Sequence, residues 1–421
     1  MSASETTGED APTIPPGPGT GGRPWRRLGL AAVGSLAVVA LAILAWPGPD
    51  PEQVWREAQA ALKRGDFDAA ERASDRLASL RAPTATDLML RAQVAIARER
   101  VDEALEILRE FPEDDPMAAQ AKMLAGQLEL RRDRLRAAEE RFREALELDP
   151  GLSQVRRELI FIYGYQSKSD AIEEQFRGLA DSGPVSAKDA FLWSLIRGVQ
   201  WTPEEIVERL SSAVERDPGD RTSRIALADA LMELNRFDEA GRLLEPLDPS
   251  DPDSRAALGR LAFERGDVVA LRDLLADAPS EHAGLALLRG KLALRLREPE
   301  EAIDAYRTVL ELRNNDRDAL SGLSQALNQA GRREEANEVV ERLNRVTALN
   351  NLLNNLVKVD ADPAPSQYLE IGRTCEAIGF EAQARAWYQA ALARDPFNRQ
   401  AQDALAGLGR TEPAGEVSSG P

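Results

Sequence analysis

The chain has 421 residues, of which 43% are hydrophobic and only 5% are aromatic, and its net charge is −18. Residues 1–47 are neutral, so residues 48–421 carry the whole negative charge, which argues against nucleic acid as the main partner. Cys375 and His282 are the single cysteine and histidine, which excludes an intramolecular disulfide and a His/Cys metal cluster. We therefore expect neither a metal nor a cofactor.

The N-terminal residues begin with a stretch rich in Pro, Gly, Ser and Thr, a composition that cannot bury a core. Three arginines then precede the run from Leu28 to Trp46, which has nineteen residues and no charged side chain. As a helix this run spans roughly 28 Å, close to the ~30 Å hydrocarbon thickness of a bilayer. We predict a disordered cytoplasmic segment at residues 1–27 and a transmembrane signal anchor at residues 28–47.

The charges on the two sides of this apolar run differ. Arginines lie before it, whereas Asp50 and Glu52 lie after it, so the positive-inside rule places the N-terminus in the cytoplasm. We predict a single-pass membrane protein whose remaining residues lie outside the cytoplasm, in a bacterial periplasm. The alternative is a cleaved signal peptide with Ala40-Leu41-Ala42 as its cleavage site. The long polar leader and the long apolar run favour the anchor.

Residues 51–410 repeat with a period of 34 residues, which is clearest in the prolines at positions 116, 150, 184, 218 and 252. Small or apolar residues keep the same spacing at positions 70, 104, 138, 172, 206 and 240. Alanine, leucine, arginine and glutamate dominate, and all of them favour helices. The period predicts an all-α stack of identical helical hairpins rather than one globular core.

The third repeat shows the pattern most fully, with Gly126, Asp133, Ala138, Phe142, Ala145 and Pro150. This pattern resembles the tetratricopeptide repeat, in which small residues let the two helices of a hairpin cross closely and a proline ends the second helix. The resemblance covers about ten repeats. It implies an α-solenoid, a right-handed superhelix whose concave groove is lined by the first helix of each hairpin. A final amphipathic helix should cap the array before a disordered tail at residues 411–421.

The period breaks in three places. The fourth and fifth repeats have isoleucine where small residues are expected, at Ile160, Ile172 and Ile206. The seventh repeat is short, since the spacing falls to 31 residues. Fourteen extra residues before Gly372 predict that the second helix of the ninth repeat is extended. Four asparagines on this extension, between positions 350 and 355, indicate either a polar contact surface or a solvated face.

The resemblance implies two sets of groove residues. The first is a row of amides, Gln59, Gln93 and Gln127, which could hydrogen-bond the backbone of an extended peptide. The second is the cluster of Arg157, Phe161, Tyr165, Phe191 and Leu195 in the fourth and fifth repeats, which has the composition of a recognition hot spot. For the glutamines the alternative is a solvated helix face. For the cluster it is irregular packing that buries the aromatic residues in the core.

The resemblance also implies a function. We expect a non-enzymatic, membrane-tethered scaffold that binds proteins or peptides in its groove, in envelope assembly, secretion or chaperone-type work. No complete carboxylate clamp is present, because Lys63 is followed at the matched position by Ala97. A self-associating structural protein and an accessory subunit of an envelope enzyme are the alternatives. The oligomeric state, the partner and the pathway stay open.

Overall fold

The computed structural model describes residues 49–195, 201–358 and 364–408, and these ranges contain helices and turns but no strand. The predictions for residues 1–27, the anchor at residues 28–47 and the tail at residues 411–421 lie outside the described residues. Within the described ranges, no helix combines the length and the apolar character that crossing a bilayer requires. The chain divides between Pro83 and Thr84 into two compact parts, each considered by itself.

The N-terminal part contains the first hairpin, α1 (Pro51–Lys63) and α2 (Phe67–Leu80). Asp50 begins α1 by accepting a hydrogen bond from the backbone N–H of Glu52 at 3.1 Å, and a proline occupies the first turn. Asp66 caps α2 in the same way. Ala58 and Ala70 are completely buried, as the period predicts for the small residues of a hairpin.

The larger part contains the other hairpins. Hairpins two to four are α3 (Ala85–Ala97) with α4 (Val101–Arg109), α5 (Ala118–Arg131) with α6 (Leu135–Leu148), and α7 (Ser153–Tyr165) with α8 (Ser169–Ser182). The fifth repeat consists of α9 (Ala187–Leu195) and α10 (Pro203–Arg216). Hairpins six to eight are α11 (Arg221–Glu233) with α12 (Phe237–Leu244), α13 (Pro252–Arg265) with α14 (Val268–Ala276), and α15 (Ala283–Leu296) with α16 (Pro299–Leu312).

The ninth and tenth hairpins are α17 (Arg317–Gln329) with α18 (Arg333–Lys358) and α19 (Pro365–Ala377) with α20 (Glu381–Arg394), and they are followed by α21 (Arg399–Leu408). The prediction of an extended helix is confirmed, because α18 has 26 residues. The predicted capping helix is α21, in which Ala401 and Leu408 are buried. The short seventh repeat appears as α14, which has only 9 residues.

Small residues and aromatic rings fit together inside each hairpin. A Cβ built on Gly126 would lie 2.6 Å from the ring of Phe142, which is completely buried. The helices can therefore cross closely only because the first one lacks a side chain at the crossing point. This contact explains the periodic small residue of the sequence in physical terms.

Nine hairpin turns contain a residue in the left-handed region, at Gly65, Glu99, Asp133, Ser167, Asn235, Gly266, Arg297, Gly331 and Gly379. In each turn the following residue donates its N–H to a carbonyl near the end of the first helix, as Arg134 does to Glu129 at 3.0 Å. This geometry closes the first helix in the manner of a Schellman motif. The sequence predicts such a turn where Gly or Asp recurs.

The fifth repeat departs from this arrangement. Helix α9 packs on α20, α18 and α8, whereas α10 packs on α11 and α7. The indole Nε1 of Trp387 on α20 donates to Ser194 Oγ on α9 at 2.8 Å. The tenth hairpin therefore contacts repeats far from it in the chain, which a solenoid with contacts only between neighbouring repeats would not do.

Candidate protein-binding site

A hollow of about 640 Å³ lies between α5, α7 and α10. Its lining residues are Leu130, Arg131, Gln154, Arg157, Glu158, Phe161 and Arg209. Arg157 and Phe161 belong to the cluster that the sequence predicts. They lie one helical turn apart on α7 and therefore face the same side. Arg131 and Arg209 come from outside that cluster.

The three arginines of the hollow differ in their partners. Arg157 forms a bidentate ion pair with Asp189 at the beginning of α9, with Nε–Oδ1 and Nη2–Oδ2 distances of 3.2 and 2.9 Å. Arg209 pairs with Asp133 at 3.0 Å. Arg131 is exposed and has no ion-pair partner among the described residues. The hollow thus offers one uncompensated guanidinium group.

The Arg157–Asp189 pair shifts the pKa values of both groups. The hydrogen bond to Asp189 raises the pKa of Arg157 above its usual value. Burial alone would raise the pKa of Asp189, but the hydrogen bonds from Arg157 and Ser186 and the arginine charge outweigh it, so the pKa is lowered. Ser186 holds the carboxylate further, because its Oγ donates to Asp189 Oδ2 at 2.7 Å. The pair is therefore ionised at neutral pH.

An aromatic cluster supports one wall of the hollow. The rings of Tyr165 and Trp201 stack with centroids 4.5 Å apart, and Phe161 meets both rings edge-on at 5.0 and 5.9 Å. Phe161 is half-buried, but Tyr165 is only 9% exposed and its burial raises the pKa of its hydroxyl. The prediction that Tyr165 is an exposed groove residue is wrong, because its ring is packed under Trp201 and Phe161. Trp201, which the sequence places only in a turn, completes the cluster.

Phe191 and Leu195 lie on α9 and do not line the hollow. Both are half-buried against the apolar core of the larger part. The predicted cluster of five residues is therefore divided between two surfaces, and Asp189 is the residue of α9 that reaches Arg157. The alternative of irregular packing describes Tyr165, Phe191 and Leu195 better than an exposed hot spot does.

The predicted row of glutamines is only partly connected to the hollow. Gln127 on α5 donates from Nε2 to Glu158 Oε1 at 3.4 Å, which places its amide beside the lining of the hollow. Gln93 is exposed on α3. Gln59 is half-buried on α1 and belongs to the N-terminal part. The binding role of all three glutamines stays a prediction.

The comparisons with known proteins agree with the pattern of the sequence. One model described as the tetratricopeptide repeat matches residues 56–116 and 89–153, and another with the same description matches residues 202–262 and 293–359. Together these ranges cover more than half of the chain. The chain belongs to the tetratricopeptide repeat family. No curated protein matches this tetratricopeptide repeat protein.

Solved structures resemble the tetratricopeptide repeat protein at low sequence identity. The Cut9–Hcn1 hetero-tetramer of the APC/C is 16% identical, with 91% of this chain and 88% of that chain covered and a TM-score of 0.33. A tetratricopeptide repeat protein from Parabacteroides merdae is 16% identical, with 58% and 99% covered and a TM-score of 0.30. Pseudomonas aeruginosa pilF is 19% identical, with 48% and 95% covered and a TM-score of 0.26. These scores are too low to assign a partner from the neighbours.

The most reactive residue types of this tetratricopeptide repeat protein have structural roles. Burial raises the pKa of the Cys375 thiol to about 12, so the thiol is protonated at neutral pH. His282 caps α15 by accepting the N–H of Leu285 at Nδ1, and its Nε2 lies 3.0 Å from Asp253. The hollow itself offers guanidinium, amide and carboxylate groups beside an aromatic ring, which suits non-covalent recognition of a polypeptide.

Proposed function

We propose that this tetratricopeptide repeat protein is a non-enzymatic scaffold that binds a segment of a partner protein in the hollow between α5, α7 and α10. The observation that carries this proposal is the meeting of three arginines and Phe161 in a chain whose net charge is −18. Arginine and aromatic residues are enriched among the residues that dominate binding energy at interfaces. An acidic segment with one apolar side chain fits this lining best.

Each part of the lining has its own task in this proposal. The uncompensated guanidinium of Arg131 pairs with a carboxylate of the segment. The half-buried ring of Phe161 takes the apolar side chain, and the stacked pair of Tyr165 and Trp201 keeps the ring in place. The exposed amide of Gln154 hydrogen-bonds the peptide backbone and does not select a side chain.

A photo-crosslinking amino acid at position 154 tests the site in the living cell. We expect a specific crosslinked partner that disappears when Arg131→Glu reverses the charge of the hollow. The control position is Val269 on α14, which is 72% exposed and lies outside the hollow. Identical crosslinked products at both positions, or a product that Arg131→Glu leaves unchanged, would contradict the proposed site. A crosslink between two copies of the chain would favour the self-associating structural protein.

The scaffold is further proposed to be tethered by residues 28–47, with the repeats in the periplasm and a role in envelope assembly, secretion or chaperone-type work. The uncharged run of nineteen residues and the arginines before it support this arrangement. We expect the full-length chain in the membrane fraction and repeats that protease digests only after the outer membrane is opened. Mature protein that begins just after Ala42 would instead show a cleaved signal peptide.

A further inference from the structure

The tenth hairpin contacts α8 and α9 through a mixed polar and apolar interface. Glu173 on α8 accepts hydrogen bonds at Oε2 from Trp193 Nε1 at 2.7 Å and from Gln383 Nε2 at 3.1 Å. Trp387 and Trp193 belong to the same buried apolar cluster. Because repeats normally contact only their neighbours in the chain, this interface is additional to those that build the array. We call it the closure interface.

Helix α9 depends on the closure interface for its position. It has only 9 residues, a length at which an isolated helix is not stable. Its buried side of Ala190, Trp193 and Ser194 is covered where it packs on α20 and α18. The tenth hairpin therefore supplies a packing partner that the fifth repeat lacks.

The beginning of the same helix reaches the hollow. Asp189 is buried, and its carboxylate holds the guanidinium of Arg157 in the bidentate geometry described above. A connected path thus runs from Trp387 through Ser194 along α9 to Asp189 and Arg157. Displacement of α9 would separate the two charges and leave the Arg157 guanidinium uncompensated.

We propose that the closure interface is a reversible latch that regulates the hollow. When the tenth hairpin is docked on α9, Asp189 neutralises Arg157, and when it undocks, Arg157 becomes available to an acidic ligand. Undocking leaves the contacts between neighbouring repeats intact, so it requires less free energy than unfolding of the array. The regulatory role rests on the proposed function of the hollow, whereas the latch itself does not.

A disulfide across the closure interface tests the latch in the full chain. The Cys375 thiol on α19 hydrogen-bonds Ser194, and it is the only cysteine, so Ser194→Cys creates a single possible disulfide. We expect α9 and α20 to exchange their amide hydrogens together, at lower denaturant concentration than the α5–α6 hairpin. Oxidation of the variant should remove this early exchange, and reduction should restore it.

Trp387→Phe gives a second test that does not depend on disulfide formation. It removes the donor to Ser194 but keeps an aromatic ring, and loss of one neutral hydrogen bond should raise the undocked population about fivefold. Exchange of α9 and α20 should accelerate by that factor while α5–α6 stays unchanged. Exchange of α9 and α20 only together with the whole larger part, in both wild type and variant, would overturn the latch.

The coupling to the hollow is measured without a partner. Phenylglyoxal modifies accessible arginines, and mass spectrometry gives the ratio of modification at Arg157 to that at Arg131, which lines the same hollow without an ion pair. We expect the ratio to fall in the oxidised Ser194→Cys protein and to rise in Trp387→Phe. An unchanged ratio would overturn the coupling, whereas the crosslinking at position 154 tests the proposed function separately.

Discussion

At the scale of single residues, the closest approach inside a hairpin depends on one missing side chain. A Cβ at Gly372 would lie 2.4 Å from Cε1 of Tyr388, whose ring is completely buried. The ring lies between two packed helices and cannot move away freely. The same arrangement in the third hairpin shows that the small residue and the ring act as one pair.

Gly372→Ala should therefore destabilise the protein by about 1–3 kcal/mol through overpacking. Gly407→Ala on α21 is the matched control, because a Cβ there meets no atom within 4 Å. Alanine favours a helix over glycine by about 1 kcal/mol, so the control should be neutral or slightly stabilising. Urea unfolding followed by circular dichroism compares the two variants. Equal stability of both would show that Tyr388 adjusts without strain.

Asp189 predicts a pH dependence at the same scale. Its pKa is lowered in the folded state from the ordinary value of 3.8, so the ionised carboxylate stabilises the fold above that pH. This contribution is lost as the pH falls through the folded-state pKa, because Asp189 then becomes protonated. Asp189→Asn should thus reduce the stability most near neutral pH, and the difference from wild type should shrink below about pH 3.8. A difference that grows on acidification would contradict the ion pair.

At the scale of helices, the long α18 has a buried side and a solvated side. Leu349 and Leu353 are buried, whereas Asn351, Asn354 and Asn355 are exposed. The apolar positions therefore anchor the extension, which is not a mobile arm. The exposure of these asparagines fits both a solvated face and a polar contact surface.

Leu353→Ala should lower the free energy of unfolding by about 2–5 kcal/mol, because the side chain is completely buried. Asn354→Ala, one position further on the exposed side, should change it by less than about 0.5 kcal/mol. Thermal or urea unfolding of both variants measures the contrast. A small effect of Leu353→Ala would mean that the extension of α18 is not packed on the larger part.

The sequence predicts the hairpins well because the information for each one lies within 34 residues. Ala138 and Phe142 belong to one repeating pattern, and the turn at Asp133 follows from it. The sequence predicts the candidate site less well. Asp189 and Trp201 reach Arg157 and Tyr165 only through the irregular fifth repeat, and no period describes that repeat.

The closure interface could not be predicted for a different reason. Trp193 and Trp387 lie in distant repeats, and nothing in a regular pattern indicates that they meet. The isoleucines at Ile160 and Ile172 do mark the region as irregular. Such a mark shows where an array departs from its period, but it does not name the packing partner.

At the scale of the whole molecule, the net charge of −18 surrounds a hollow that contains three arginines. The acidic surface repels an acidic segment at long range, and the arginines attract it once it is close. Salt screens exposed charges over about 8 Å at physiological ionic strength. The two effects therefore have different ranges and different dependence on salt.

Crosslinking at position 154 should fall when the salt concentration rises from about 0.15 M to about 1 M, because the ion pair at Arg131 is exposed and is screened. Arg131→Gln should remove most of this dependence and leave a weaker, salt-independent product. The yield per mole of protein is compared in membranes at matched protein concentration. A yield that rises with salt would indicate that apolar contacts and long-range repulsion dominate the recognition.

The hairpin turns have a consequence for the evolution of the chain. Five of the nine turn residues in the left-handed region are not glycine, namely Glu99, Asp133, Ser167, Asn235 and Arg297. Such a backbone conformation costs a non-glycine residue about 1 kcal/mol. Because each turn belongs to a different hairpin, these costs are independent and nearly additive. The array thus keeps a reserve of stability, which substitutions in the turns could release while the binding surface changes elsewhere.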